Sequence, residues 1–397
     1  MRARALRHLT AMVHRIDHAI GRIGQTRRVL VEVRTPVYKA VLGPITDVLQ
    51  DLPDVDVTFT SEYPARIKPL VGAARFITHR QAEWTRFDLY LNADPWAAAR
   101  LRRCARRINF FHGVAGKYDL DNPVGLPMGF EYYDRVAFIN QDRMQRYLDA
   151  RVVTRTQAAL VGYPKLDRLA LGLVDGPAIR HALGLDPARP TVLYAPTYSP
   201  ASSLHLAGER IITSLDEAGL NVIVKLHDRS LDTDRRYNAG IDWRKGMRAL
   251  QRPGRIAYVE GPDSSPYLAA ADVMVTDHSS VGFEFLVLDR PLIVFDAPGL
   301  AEAARINPEK ISLLRCAATV VTTCEELARA ARHAVLVPSE RSTQRQRVAG
   351  QMFHDPGRAT GRAVALIQAL LDAPAGATET VASRREPHAQ TTGGGLS

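Results

Sequence analysis

Residues 273–288 read Val273-Met274-Val275-Thr276-Asp277-His278-Ser279-Ser280-Val281-Gly282-Phe283-Glu284-Phe285-Leu286-Val287-Leu288. A short β-favouring apolar run enters a polar turn, and a helical run follows at Val281–Leu288. Strand, polar turn and helix together make half of a βαβ unit. Thr276 or Asp277 supplies a helix cap. A helix start with unpaired N–H groups and the hydroxyls of Ser279 and Ser280 suits an anion. Capping accounts for one hydroxyl residue but not for the whole polar run, which favours a binding role. Glu284 stands one turn beyond Ser280 on the same side. That spacing fits a hydrogen bond to ribose hydroxyls and an ordinary surface glutamate equally well.

The same rhythm repeats outward from this unit. Downstream of Pro190, strands are expected at Thr191–Tyr194, Asn221–Lys225, Arg255–Val259, Pro291–Phe295 and Thr319–Val321, with helices over 324–337 and 358–372. Upstream, strands are expected at Val29–Val33, Val55–Phe59, Phe87–Leu91, Arg107–Phe111, Val136–Ile139 and Ala158–Val161, with a helix near Val37–Leu52. Short Val/Ile/Leu-rich runs alternating with helices predict parallel sheets in an α/β fold. The segment Leu171–Pro190 divides the two series. The expected organisation is therefore an N-terminal Rossmann-like domain over 27–170 and a C-terminal one over 186–372, facing each other across a cleft. Residues 1–26 precede them as a basic amphipathic helix, with Leu6, Leu9, Val13, Ile16, Ile20 and Ile23 on one stripe. The tail 373–397 lacks apolar periodicity and is expected to be disordered.

The 397 residues are 46% apolar and 24% charged, which excludes a wholly disordered or collagen-like chain. No run approaches the roughly 18 apolar residues of a membrane span, and the N-terminal segment lacks the apolar core of a secretory signal. Three cysteines, Cys104, Cys316 and Cys324, make neither a disulfide framework nor a zinc spacing, as expected of a cytoplasmic protein. The net charge is +10, of which +6 falls in residues 1–50, so an anionic partner is expected. No aromatic residues interleave with the arginines and no zinc-finger or RNP-type motif occurs, which argues against nucleic acid. The helix over residues 1–23 fits an anionic membrane surface and packing against protein equally well.

Ligands of open α/β sheets bind beyond the carboxyl ends of the strands. Two further strand ends carry chemistry. His112-Gly113-Val114-Ala115-Gly116-Lys117 follows one strand, and its histidine suits general-base work. Lys225-Leu226-His227-Asp228 follows another, with Lys225 and His227 on one side of an extended segment, suited to a phosphate. Taken singly, a loop histidine bonded to backbone and a solvated strand end explain these residues as well. Asp54/Asp56 and Asp232/Asp234 have DxD spacing but sit at a strand entry and in a polar loop, where chance accounts for them. The phosphate-loop, dinucleotide, HExxH and GxSxG signatures are missing from the sequence.

In order along the chain, these motifs resemble the CDP-glycerol glycerophosphotransferase family, which includes the teichoic acid primases and polymerases. His112–Lys117 resembles its HGTxxK motif, and Gly162-Tyr163-Pro164-Lys165-Leu166-Asp167 a GxPRxD-type turn. Tyr194-Ala195-Pro196-Thr197 matches YAPT, and Lys225–Asp228 resembles KPHP. Thr276–Phe285, followed by Arg290–Phe295, resembles TDYSSxxFDF and KPxIFY. The resemblance implies a GT-B fold with the donor nucleotide in the C-terminal domain. It implies His112 as the base on the acceptor hydroxyl, and His227 contacting or protonating the donor pyrophosphate with Lys225 nearby. It also implies donor binding by Thr197, Thr276, Asp277, Ser279, Ser280 and Glu284, with Gly113 and Lys117 on the acceptor side. The implied reaction is attack on the donor β-phosphorus with CMP leaving, the acceptor being lipid-linked or polymeric. No metal or cofactor is required by these motifs. Val114 replaces the family's Thr, His278 its Tyr, and both prolines of KPHP are missing. A GT-B enzyme using a UDP-sugar (a glycosyltransferase or 2-epimerase) and a non-catalytic binding protein of the same fold are the competing readings. The implied location is cytoplasmic, peripheral at the inner face of the membrane.

Overall fold

The computed structural model describes residues 26–93, 101, 103–114, 116, 120–123, 129–232 and 234–373. The expected N-terminal helix, the tail beyond Ala373 and Lys117 lie outside the described residues. Thirteen strands in the described residues form two sheets, and every ladder pair is parallel.

The first sheet contains β1 (Arg27–Glu32), β2 (Val55–Ser61), β3 (Arg75–Thr78), β4 (Phe87–Asn92), β5 (Cys104–Phe110), β6 (Arg135–Phe138) and β7 (Ala158–Leu160), in the order β3-β2-β1-β4-β5-β6-β7. The second contains β8 (Thr191–Tyr194), β9 (Asn221–Lys225), β10 (Ile256–Val259), β11 (Val273–Thr276), β12 (Leu292–Phe295) and β13 (Thr319–Val321), in the order β10-β9-β8-β11-β12-β13. Each chain path starts in mid-sheet, runs to one edge, then crosses to the other side. Topological switch points therefore fall between β1 and β4 and between β8 and β11, where open α/β sheets take their ligands.

Helices bury both sheets. Val29, Val31, Leu89, Leu91 and Phe110 pack with Leu42, Ile45 and Leu49 of the helix Pro36–Gln50. In the second sheet Val192, Val222 and Val224 pack with Ile211 and Leu215 of the helix Ser203–Glu217 and with Leu327 and Ala331 of Cys324–Leu336. The run expected as one helix over Val281–Leu288 is an α-helix at Ser280–Phe285 and a 3-10 turn at Leu286–Leu288. β3 is absent from the sequence reading, because it is a four-residue edge strand with exposed ends.

The C-terminal helix Ala359–Asp372 departs from the expected 186–372 unit. Its Ala363, Ile367 and Leu370 pack into the apolar face of the first sheet. The chain thus crosses between sheets twice, and the two crossings are bound together. The Asp167 carboxylate accepts hydrogen bonds from the backbone N–H groups of Gly357 (2.8 Å), Ala359 (3.1 Å) and Thr360 (2.5 Å). Arg362 reaches back to the carbonyls of Val161 and His354. Gly162 (φ +95°) lies so close to the return crossing that a Cβ would stand 2.5 Å from the His354 carbonyl oxygen. No helix among the described residues is long and apolar enough to cross a membrane.

Candidate active site

His112 follows β5 by two residues and is half-buried against Tyr38, with ring centroids 4.3 Å apart. Its Nδ1 bonds the carbonyl oxygen of Ala93, just past β4. A carbonyl only accepts, so Nδ1 carries the proton and the neutral ring has its lone pair on Nε2. Gly113 adopts φ +71°, a left-handed turn suited to glycine. Its carbonyl accepts from Arg143 Nη1 at 2.9 Å.

His227 follows β9 by two residues and rests on Tyr198, centroids 4.4 Å apart. Its Nδ1 accepts the backbone N–H of Arg229 at 3.1 Å. The neutral ring therefore carries its proton on Nε2, the opposite of His112. Lys225, at the end of β9, is buried and donates to the Leu226 carbonyl at 2.9 Å. Burial depresses its pKa; the charge of Lys165 lowers it further, while Asp228, Asp263 and Glu260 oppose the shift. Burial raises the pKa of Asp228 against the pull of Lys225. Arg66, in the short helix Pro64–Ile67 after β2, is also felt at Asp228.

Between β8 and β11 the expected donor residues divide. Ser279 and Ser280 stand at the start of Ser280–Phe285, and the Ser279 side chain makes no capping hydrogen bond. Thr276 and Asp277 are fully buried. The Thr276 hydroxyl donates to the Ala195 carbonyl at 2.7 Å. Asp277 accepts from the backbone N–H groups of Thr197 (2.8 Å), His278 (2.7 Å) and Ser203 (3.1 Å) and from the Ser203 hydroxyl (3.0 Å). Four donors saturate this carboxylate. Both residues tie the β11 end to the β8 loop. Thr197 is likewise buried in that tie, its backbone N–H on Asp277.

Glu284 is neither a surface glutamate nor an uncommitted ribose ligand. It is buried, and its Oε2 accepts from Lys165 Nζ at 2.6 Å and from the Ser264 hydroxyl at 3.3 Å. Lys165 belongs to the Gly162–Asp167 turn, whose individual residues the sequence left without roles. Its signal was there in the motif, but its partner lies 119 residues away. In the same turn Tyr163 is buried, where burial and the charge of Glu284 raise its pKa and the Gly113 backbone lowers it. The turn therefore joins the His112 loop to the β11 side.

A second tie was also missed. Asp121 accepts from Arg143 Nε at 2.9 Å and from Asn307 Nδ2 at 3.3 Å, with Lys310 Nζ at 4.0 Å. Burial alone would raise its pKa, but Arg143, Lys310 and these hydrogen bonds bring it below the usual value. Gly116 packs so closely on Asp121 that a Cβ would meet its carboxylate at 1.9 Å. The loop after β5 is thus anchored from both halves. Of the DxD pairs, Asp56 lies against Arg75 and Asp232 accepts the Asp234 backbone N–H. Among the described residues no group of three or more His, Cys, Asp or Glu side chains gathers around a possible metal position.

Two parallel sheets, each contributing a histidine at a strand end, define a GT-B-like α/β enzyme. Solved structures agree on the fold. The wall teichoic acid polymerase TagF aligns over 92% of this chain and 97% of its own, at 17% identity and a TM-score of 0.65. A UDP-GlcNAc 2-epimerase from Neisseria meningitidis, bound to UDP-GlcNAc, aligns over 86% and 99%, at 12% identity and a TM-score of 0.57. A putative UDP-N-acetylglucosamine 2-epimerase from Listeria monocytogenes aligns over 87% and 97%, at 14% and 0.56. No curated protein matches the sequence. The CDP-glycerol:poly(glycerophosphate) glycerophosphotransferase model matches residues 131–367, more than half of the chain, and the protein belongs to that family.

Proposed function

We propose that the protein transfers a glycerol-phosphate or related polyol-phosphate unit from a CDP-activated donor to a hydroxyl of a polymeric or lipid-linked acceptor, releasing CMP. The observation that carries this reading, within the family, is the opposed proton placement on the two strand-end histidines. The Nε2 lone pair of His112 takes the acceptor hydroxyl proton as that oxygen attacks the donor β-phosphorus. The bond from the β-phosphorus to the bridging oxygen breaks, and the oxygen leaves with CMP. The Nε2–H of His227 donates to the pyrophosphate and supplies a proton to the departing phosphate. Lys225, Ser279 and Ser280 hold the donor phosphates. Thr197, Thr276 and Asp277 shape the loops that carry them, and the Lys165–Glu284 pair closes the site from the other half. Gly113 turns the acceptor-side loop, and Lys117 follows it in the sequence motif. A TagF H444N variant soaked with CDPG adopts the same overall fold at 16% identity and a TM-score of 0.66, which supports testing CDP-glycerol first.

Calorimetric titration with CDP-glycerol, CDP-ribitol, UDP-N-acetylglucosamine and CMP tests the reading. Preferential binding of a CDP-polyol, weakened by His227→Ala and Ser280→Ala, is the expected result. Preference for the UDP-sugar would keep the fold and replace the chemistry. We place the enzyme at the inner membrane face through basic residues 1–23, where a lipid-linked acceptor would be reached. Unchanged binding to anionic vesicles after deletion of those residues would remove that part of the proposal.

A further inference from the structure

The two faces of the first sheet differ sharply where four strands end. On one face Phe59, Val31, Leu91 and Ile108 lie in register across β2, β1, β4 and β5, an apolar row under the covering helices. One residue further on, facing the other way, Thr60, Glu32, Asn92 and Asn109 occupy the same four strands in register. Ile77 and Val136 flank them. All four are buried where a parallel sheet ordinarily places Val or Ile. Buried polar groups are costly unless hydrogen-bonded, and here Asn109 bonds Asn92 while Glu32 and Asn92 bond the neighbouring Tyr90, Tyr133 and His79.

The Tyr90 hydroxyl, two residues before Asn92 on the same face, donates to Glu32 Oε2. Asn92 Nδ2 donates to the Tyr90 oxygen at 2.8 Å. Asn92 Oδ1 accepts from Asn109 Nδ2 at 2.9 Å and from the Tyr133 hydroxyl at 3.0 Å. His79 Nε2 lies 3.1 Å from Glu32 Oε1 at the far end. Asn92 is the hub, with its amide orientation fixed by an acceptor on one side and two donors on the other.

The next residue is Ala93, whose carbonyl bonds His112 Nδ1. A backbone carbonyl has no rotamer of its own, so its position is that of the strand end. Ala93 lies one residue past the last ladder pair of β4. We propose that this polar row is a positioning device for His112: Tyr90, Asn92, Asn109 and Tyr133 fix the end of β4, and the Ala93 carbonyl holds the His112 proton on Nδ1. The row never touches substrate, and its catalytic consequence rests on His112 being the base proposed above.

The test uses full-length protein with 15N-labelled histidine and no substrate. Long-range 1H–15N NMR reads which His112 nitrogen carries the proton, the signal being assigned with His112→Gln. Wild type is expected to show the Nδ1–H form. Tyr90→Phe and Tyr133→Phe, each removing one oxygen, are expected to shift it toward a mixture, as is Asn92→Leu if that variant folds. In the same variants kcat for CMP release falls about tenfold to a hundredfold, with donor KM within about twofold. Leu91→Val, on the apolar face, is expected to lower the melting temperature and leave tautomer and kcat unchanged. An unchanged tautomer in both Tyr→Phe variants overturns the proposal, and so does an equal tautomer shift in Leu91→Val. If wild type releases no CMP from CDP-glycerol, the donor reading falls, while the tautomer result still decides the role of the row.

Discussion

The two halves of the molecule each present one histidine at a strand end, and they hold it by opposite backbone groups. The first half offers a carbonyl to Nδ1 of His112; the second offers an N–H to Nδ1 of His227. One ring is thereby set to accept a proton at Nε2 and the other to give one. The means also differ. In the first half the polar work is done inside the sheet, by side chains bridging strands. In the second it is done above the sheet, where Asp277 ties one loop to another. Under the proposed mechanism, the division of acid and base labour is set by local backbone geometry before any substrate arrives.

The largest expected effect is on the histidines themselves. His112→Gln should lower the rate of CMP release by about 10²–10⁴ while donor affinity stays within about twofold. His227→Gln should weaken donor binding as well as turnover. If calorimetry shows the two variants alike in donor binding, the two halves do not divide the chemistry as described. Next comes Asp277→Ala, which strands four buried donors; a loss of about 3–5 kcal/mol in denaturant unfolding is expected. A loss under about 1 kcal/mol would show that the loop tie is dispensable.

Lys165→Met leaves the Glu284 carboxylate buried without its ion partner, with an expected loss of about 3 kcal/mol. Adding Glu284→Leu should recover much of it, since an apolar pair avoids the desolvation of both charges. Failure of the second change to recover stability would mean that Lys165 acts mainly through Ser264. The smallest effect concerns pH. The folded pKa of Asp121 is lowered, so its contribution is present above its unfolded value and lost as pH falls through the folded one. Asp228 has the opposite sign: its folded pKa is raised, so its protonation on acidification favours the folded state. Asp121→Asn should flatten the acid limb of a stability profile, and Asp228→Asn should steepen it slightly. Identical limbs in all three proteins would refute both assignments.

Much of the fold could be read from composition alone, because buried parallel strands advertise themselves as short runs such as Val222-Ile223-Val224. The destination of the helix Ala359–Asp372 could not, since an amphipathic stripe names a face to bury and not its partner. Strand-end histidines were visible for the same reason strands were. Asp277 was visible too, but its four bonds were not, because a polar residue after a strand reads alike whether it binds a ligand or its own neighbours. Glu32, Thr60, Asn92 and Asn109 look unremarkable one by one. Only the register of four strands, set by tertiary packing, brings them into line.

The double crossing clasped by Asp167 makes the second half, in topological terms, an insertion between the body of the first half and its final helix. A protease nick in either connection alone would leave the halves tethered by the other. A circular permutant opened within the insertion would keep the first half contiguous. Opening the cleft must bend both connections at once, which confines the motion to rotation about the line joining them. Tyr163, in the outgoing connection, stacks on Phe353 beside the return one, so any bending there is felt in the turn that also carries Lys165.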